Sequence, residues 1–162
     1  MKKLCALMLF AIMLAGCSSV ETFETLGNVL DEQETPVMQQ MVFSLPEDAS
    51  VQTMESECGS IYFCDGYDVT VQTMAAGDLD RTLRELTGFG KDDLTLMKTG
   101  LTAAVRYEFV WTAAGEGGDQ VGRAVILDDG NYHYCISVMA DANAAPKLQN
   151  EWKSLLDSFI LG

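Results

Sequence analysis

Cys58, Cys64, Cys135 and His133 are the side chains of this sequence whose types could hold a metal or carry redox chemistry. A strand through His133 and Cys135 would put both on one face, as a tetrahedral zinc site would require. Cys58 and Cys64 are separated by five residues, not by the two of a dithiol redox motif. The pair is compatible with one disulfide, and the odd number left over implies at least one unpaired thiol. Buried thiols are the expected state, with no metal and no cofactor assigned. Hydrolytic chemistry would instead need acids, or a nucleophile with a base. Asp128 and Asp129 are neighbouring carboxylates, and His133 is the only histidine. No Gly-x-Ser-x-Gly elbow accompanies that histidine, so it is expected to lack catalytic partners. Gly115-Glu116-Gly117-Gly118-Asp119 is rich in glycine, but no lysine and no helix pattern follows to cradle a phosphate. This segment is expected to be a flexible hairpin turn that contacts a partner. Met38 and Met41 are expected to pack in a strand, because a soft metal site needs several clustered sulfurs.

Cys17 has a different chemistry. Lys2 and Lys3 precede an apolar run from Leu4 to Leu14, too short to span a bilayer, which takes about 20 residues. Small residues then lead to the cysteine in Leu14-Ala15-Gly16-Cys17. The order is that of a secretory signal peptide. The four-residue ending resembles the lipobox of bacterial lipoproteins, which implies cleavage before Cys17 and a diacylglycerol on its thiol. Two or three acyl chains hold a protein firmly at a membrane, since each buried methylene contributes about 0.8 kcal/mol. The expected organisation is a signal at 1–16, a lipidated cysteine and polar tether at 17–36, and one domain at 37–162. The expected location is the outward face of a bacterial membrane, with the lipid on Cys17 as the membrane contact.

Removing Lys2 and Lys3 with the signal takes the formal charge from −14 to −16. Such a chain is repelled by nucleic acid and by anionic head groups. No Asp-x-Asp-x-Asp-Gly loop is present to bind calcium. The acids are scattered, many at turns, as on a solvated surface.

Residues 37–45 and 49–55 read as strands, the first stopped by Pro46. Residues 60–64 and 67–74 flank Asp65-Gly66, a strong hairpin signal of type I′, with Cys64 opposite Tyr67 and Tyr62 opposite Val69. Asp78 can cap a helix whose stripe is Leu79, Leu83 and Leu86 and which Gly88 and Gly90 stop. A short strand is expected at 94–99. Residues 104–111 alternate, with Tyr107, Phe109 and Trp111 on one face and Arg106 and Glu108 on the other. Residues 121–127 and 132–139 flank a second type I′ turn at Asp129-Gly130. Val125, Leu127, Tyr134 and Ile136 then share one face, and Ala124, Ile126, His133 and Cys135 the other. Apolar side chains on both faces imply that both are covered. A closing helix follows, capped by Asp141 or Asn143 with Pro146 in its first turn. Its stripe is Leu148, Trp152, Leu155, Leu156 and Phe159. The order predicts an α+β class: an antiparallel sheet with a helix after the first strands and a C-terminal helix. Two well-marked helices disfavour an all-β sandwich.

Long paired strands ending in Gly-Asn-Tyr-x-Tyr (130–134) and a closing helix ending in Leu-x-Ser-Phe (156–159) together resemble the PsbP-like fold. That fold is named for the extrinsic subunit of plant photosystem II. The resemblance covers about residues 37–161 and extends to small bacterial lipoproteins carrying the domain. It implies a PsbP-like sandwich and a non-catalytic accessory or binding role. No binding residue of the photosystem subunit matches a position here, and the photosynthetic role is not transferred.

The expected function is therefore a lipid-anchored, non-catalytic envelope protein that binds an envelope protein or small ligand. The alternative is an extracellular hydrolase of cell-wall or surface material using acids such as Asp128 and Asp129.

Overall fold

Seven antiparallel strands form the sheet that organises the molecule, in the order Ser50–Thr53, Gly59–Cys64, Tyr67–Ala75, Tyr132–Asp141, Gly118–Asp128, Val105–Gly115, Met97–Gly100. A computed structural model describes residues 36–53, 59–115 and 117–162. The signal, Cys17, the tether up to residue 35, Cys58 and Glu116 lie outside the described residues. The elements are β1 (Met41–Val42), β2 (Ser50–Thr53), β3 (Gly59–Cys64), β4 (Tyr67–Ala75), α1 (Leu79–Thr87), a 3-10 turn (Lys91–Asp93), β5 (Met97–Gly100), β6 (Val105–Gly115), β7 (Gly118–Asp128), β8 (Tyr132–Asp141), α2 (Ala145–Asp157) and β9 (Ile160–Leu161). The class is α+β.

Helices cover both faces of the sheet. On one, α2 buries Trp152, Leu155 and Leu156 against Val69, Val125 and Ile136. On the other, Leu83 of α1 packs with Phe109, Ala124, Ile126 and Cys135. The alternation read from the sequence in β6, β7 and β8 holds residue by residue. Ala124 to Leu127 are at most 1% exposed, because a strand between two covered faces must be apolar on both.

The hairpin β3–β4 has the expected register, Cys64 opposite Tyr67 and Tyr62 opposite Val69. Neither tight turn is type I′, which needs positive φ at both central residues. Among the described residues only glycines have positive φ. Gly66 (φ 80°) alone is left-handed in the first turn. In the second, Asp129 pairs with Tyr132 through an N–H···O bond of 3.2 Å. The central residues are thus Gly130 (φ 91°) and Asn131, one position later than expected. A glycine first in the pair is the pattern of type II′.

Four other boundaries shift. The run 37–45 forms strand only at Met41–Val42, which pairs with Ile160–Leu161. The residues before it are held by side chains: Tyr134 Oη accepts from Gln39 N (2.8 Å) and Tyr132 Oη donates to Pro36 O (2.9 Å). The strand at 94–99 begins only at Met97, because the 3-10 turn holds the chain off the sheet. The β6–β7 loop contracts, since Gly115 pairs with Gly118 and Ala114 with Asp119. At α2 no side chain caps the N-terminus; Asp141 contributes its backbone carbonyl to Ala144 N instead.

The two helices end differently. Asp78 accepts from Asp80 N at the start of α1, and left-handed Gly88 ends it. At the end of α2, Arg106 donates to Leu156 O (2.9 Å) and Phe159 O (3.3 Å). A guanidinium there satisfies carbonyls that the helix leaves open and complements its dipole.

Candidate functional site

Three places in the described domain could act on something outside it. The first is the end of the β6–β7 hairpin. Gly115 and Gly118 are paired strand residues, Asp119 follows in β7, and Gly117 is exposed at the turn. Asp119 also accepts from Ala142 N through its backbone carbonyl (2.8 Å), which ties the hairpin to the start of α2. The predicted partner loop is thus shorter than expected, with Gly115 and Gly118 already paired in the strands.

The second place surrounds His133, which was expected to lack partners and has one hydrogen-bond partner. It is 2% exposed, lying under α1. Its Nδ1 shares a 2.7 Å hydrogen bond with Thr82 Oγ1. Its Nε2 is 3.7 Å from Asp128 Oδ2, beyond hydrogen-bond length. Thr82 is itself buried and lines a cleft of about 320 Å³ with Met74, Gly77, Arg81 and Glu85. A hydroxyl on an imidazole beside a carboxylate has the composition of a nucleophile–base–acid relay. The long last step leaves the imidazole unoriented by Asp128. The sequence signal for Thr82 was its place three residues after Leu79 and one before Leu83, on the buried stripe of α1.

Asp129 is not available for acid–base work. Its carboxylate accepts from Tyr132 N (2.7 Å), Asn131 N (2.8 Å), Gln39 Nε2 (3.0 Å) and Tyr134 Oη (3.1 Å). Burial pushes this carboxyl up, but those donors outweigh it and hold it below the usual carboxylate range. It is an anchor for the turn and for the start of the domain.

The two described cysteines do not converge. Cys135 packs on the α1 face, where burial pushes its thiol up, and Cys64 packs on the α2 face. Burial also raises Cys64, against a hydrogen bond from Tyr67 that lowers it. The sheet thus stands between these two sulfurs, so one ion cannot use both.

The third place is a slot of about 270 Å³ lined by Phe89, Asp93, Leu94, Val110, Trp111 and Thr112. Trp111 lies flat over Gly122, where a Cβ would come within 2.3 Å of the indole. Of the aromatics singled out in the sequence, Tyr67, Trp111 and Tyr134 are buried and Tyr62 and Tyr132 half-buried. Phe63 and Phe89 are the exposed aromatic rings among the described residues.

No family model matches the sequence, and no curated protein matches it. Solved structures do match in fold. The cyanobacterial PsbP protein CyanoP of Synechocystis superposes with a TM-score of 0.58 at 8% identity, over 75% of this chain and 86% of that one. A protein from Bacteroides thetaiotaomicron gives 0.53 at 13% identity, over 75% of this chain. The present chain spans 45% of that protein's length. LpqN of Mycobacterium tuberculosis, described as involved in cell envelope biogenesis, gives 0.49 at 10% identity over 80% of this chain and 87% of that one. The fold is PsbP-like. Among the described residues, no helix is long and apolar enough to cross a membrane.

Proposed function

We propose that this chain is a lipid-anchored, non-catalytic binding or accessory protein of the bacterial cell envelope, attached through Cys17. The supporting observation is the placement of its two ends. The described domain begins at Pro36, which Tyr132 holds at the β7–β8 turn, with Gln39 on Asp129 beside it. The Gly115–Asp119 tip lies at the other end of β7, an eleven-residue strand. At a rise of 3.4 Å per residue the two are about 34 Å apart. Pro36 and that tip therefore lie at opposite ends of the described domain. Cys17→Ser should move the protein from the membrane fraction to the soluble fraction; full retention in the membrane would remove the anchor from this reading. Partner capture should fall when Gly117 and Asp119 are replaced in the anchored protein.

The Thr82–His133–Asp128 alignment favours a second reading, a hydrolase of cell-wall or surface material. Thr82→Val and Asp128→Asn should each complement a deletion strain fully if the protein only binds. Loss of complementation with the fold and surface level intact would transfer the assignment to the hydrolase.

A further inference from the structure

β6 is eleven residues long, but its outer neighbour β5 covers only Val105 to Glu108. The chain before β5 peels away from the sheet through the 3-10 turn at Lys91–Asp93. The slot lined by Phe89, Leu94, Val110 and Trp111 is the gap this leaves. Antiparallel pairing fixes which backbone groups face it. Leu101 N donates to Ala104 O (2.9 Å) across the β5–β6 connection. Residues of a strand that bond to the same neighbour recur every second position. Ala104, Arg106 and Glu108 therefore turn their N–H and C=O toward β5, and Val110, Thr112 and Ala114 turn theirs to the same side. No described strand meets them there.

Exposed strand edges are usually blunted by lysine, proline or a bulge. Here the outward-bonding residues are valine, threonine and alanine, all exposed. Val110 is 55% exposed and Phe89, on the slot wall, 37%.

We propose that the uncovered half of β6 is a docking edge for an extended segment of a partner polypeptide, which adds as a strand along Val110–Ala114. An apolar side chain of that segment fills the slot between Phe89, Leu94 and Trp111. Backbone hydrogen bonds hold such an added strand, and pockets at alternate residues select it. Charge decides between occupants. Asp93 on the slot wall, its neighbour Asp92 in the 3-10 turn and Asp119 opposite Ala114, against Lys91, leave the edge negative. Arg123, opposite Val110, is already paired with Glu108 (3.3 Å). A second copy would bring another chain of formal charge −14 against it. The fitting partner is an extended peptide with apolar residues at alternate positions and lysine or arginine flanking them. This inference goes beyond the assignment of the β6–β7 tip and does not depend on the anchor at Cys17.

The test is selection of a random heptapeptide phage library on the full-length chain in detergent. The selected sequences should alternate apolar residues beside Lys or Arg. A synthetic peptide made from them should slow amide exchange at Val110, Thr112 and Ala114 at least tenfold. Thr112→Pro removes an outward N–H at a position where an edge strand tolerates proline, and should weaken that peptide at least tenfold. Val110→Lys should do the same and decides the matter if the proline variant fails to fold. Val51→Lys, on the exposed edge strand at the far side of the sheet, should leave affinity unchanged. Equal binding to the wild-type chain and both β6 variants, or no enrichment at all, would overturn the proposal. So would a dimer that either β6 variant abolishes, since the edge would then belong to a second copy.

Discussion

The two faces of the sheet are built to different standards. The α2 face has the larger core: Trp152, Leu156, Phe159, Val69 and Ile136 are fully buried there, and Tyr67 meets Trp152 edge-on at 6.2 Å, while its hollow of about 330 Å³ lies between α2 and residues 44–46. Its charged residues, Arg106, Glu108 and Arg123, pair with one another and cap α2. The α1 face has a smaller core, a buried histidine–threonine pair and two open hollows. One face therefore carries stability. The other is free to carry recognition, because elements that contact outside molecules come from the less densely packed parts of a fold.

The sharpest test of that contrast is Trp152→Ala. It should lose about 3–5 kcal/mol, the range for truncating a large aromatic in a core, measured by the urea midpoint. The indole N–H has no hydrogen-bond partner among the described residues, so Trp152→Phe should be far milder. An unchanged midpoint for the alanine variant would mean that α2 is not docked by this face.

Gly122→Ala probes the α1 face. The new methyl would sit 2.3 Å from the Trp111 ring, so the indole must move. Overpacking of this kind costs about 1–3 kcal/mol. The change should be smaller than that at Trp152 and should alter Trp111 fluorescence as the ring shifts over the slot. Unaltered emission with full stability would show that the ring is not fixed there.

The smallest effect separates the faces by pH. Glu108, on the α2 face, is pushed up by burial, but hydrogen bonds and charge from Arg106 and Arg123 hold its carboxyl below the usual range. Asp129 is held low by its four donors. A carboxyl whose folded pKa lies below its unfolded value adds stability that is complete above the unfolded value. That stability is lost as pH falls through the folded one. Unfolding midpoints should therefore hold above about pH 4–5 and drop below it, given ordinary carboxyl values near 4. Asp129→Asn should flatten part of that drop and loosen the segment at Gln39. A drop of the same size in this variant would remove Asp129 as its source.

Much of this arrangement is written in local periodicity. The alternation of Tyr107, Phe109 and Trp111 against Arg106 and Glu108 assigns faces, because successive strand residues point to opposite sides. The spacing of Leu79, Leu83 and Leu86, and that of Trp152, Leu155 and Leu156, marks the buried sides of two helices for the equivalent reason. Asp-Gly between apolar runs locates hairpins, although the backbone geometry of each turn depended on how its strands paired. Other features needed contacts between distant parts of the chain. Thr82 and His133 are 51 residues apart and meet only because α1 lies across β8. The run 37–45 has the composition of a strand, yet β9 offers it only two partners. The open half of β6 exists because the 3-10 turn lifts the preceding chain off the sheet. Side-chain period is a property of consecutive residues, so the sequence determines it. Which strand finds a partner, and which edge is left without one, depends on the packing of the whole domain.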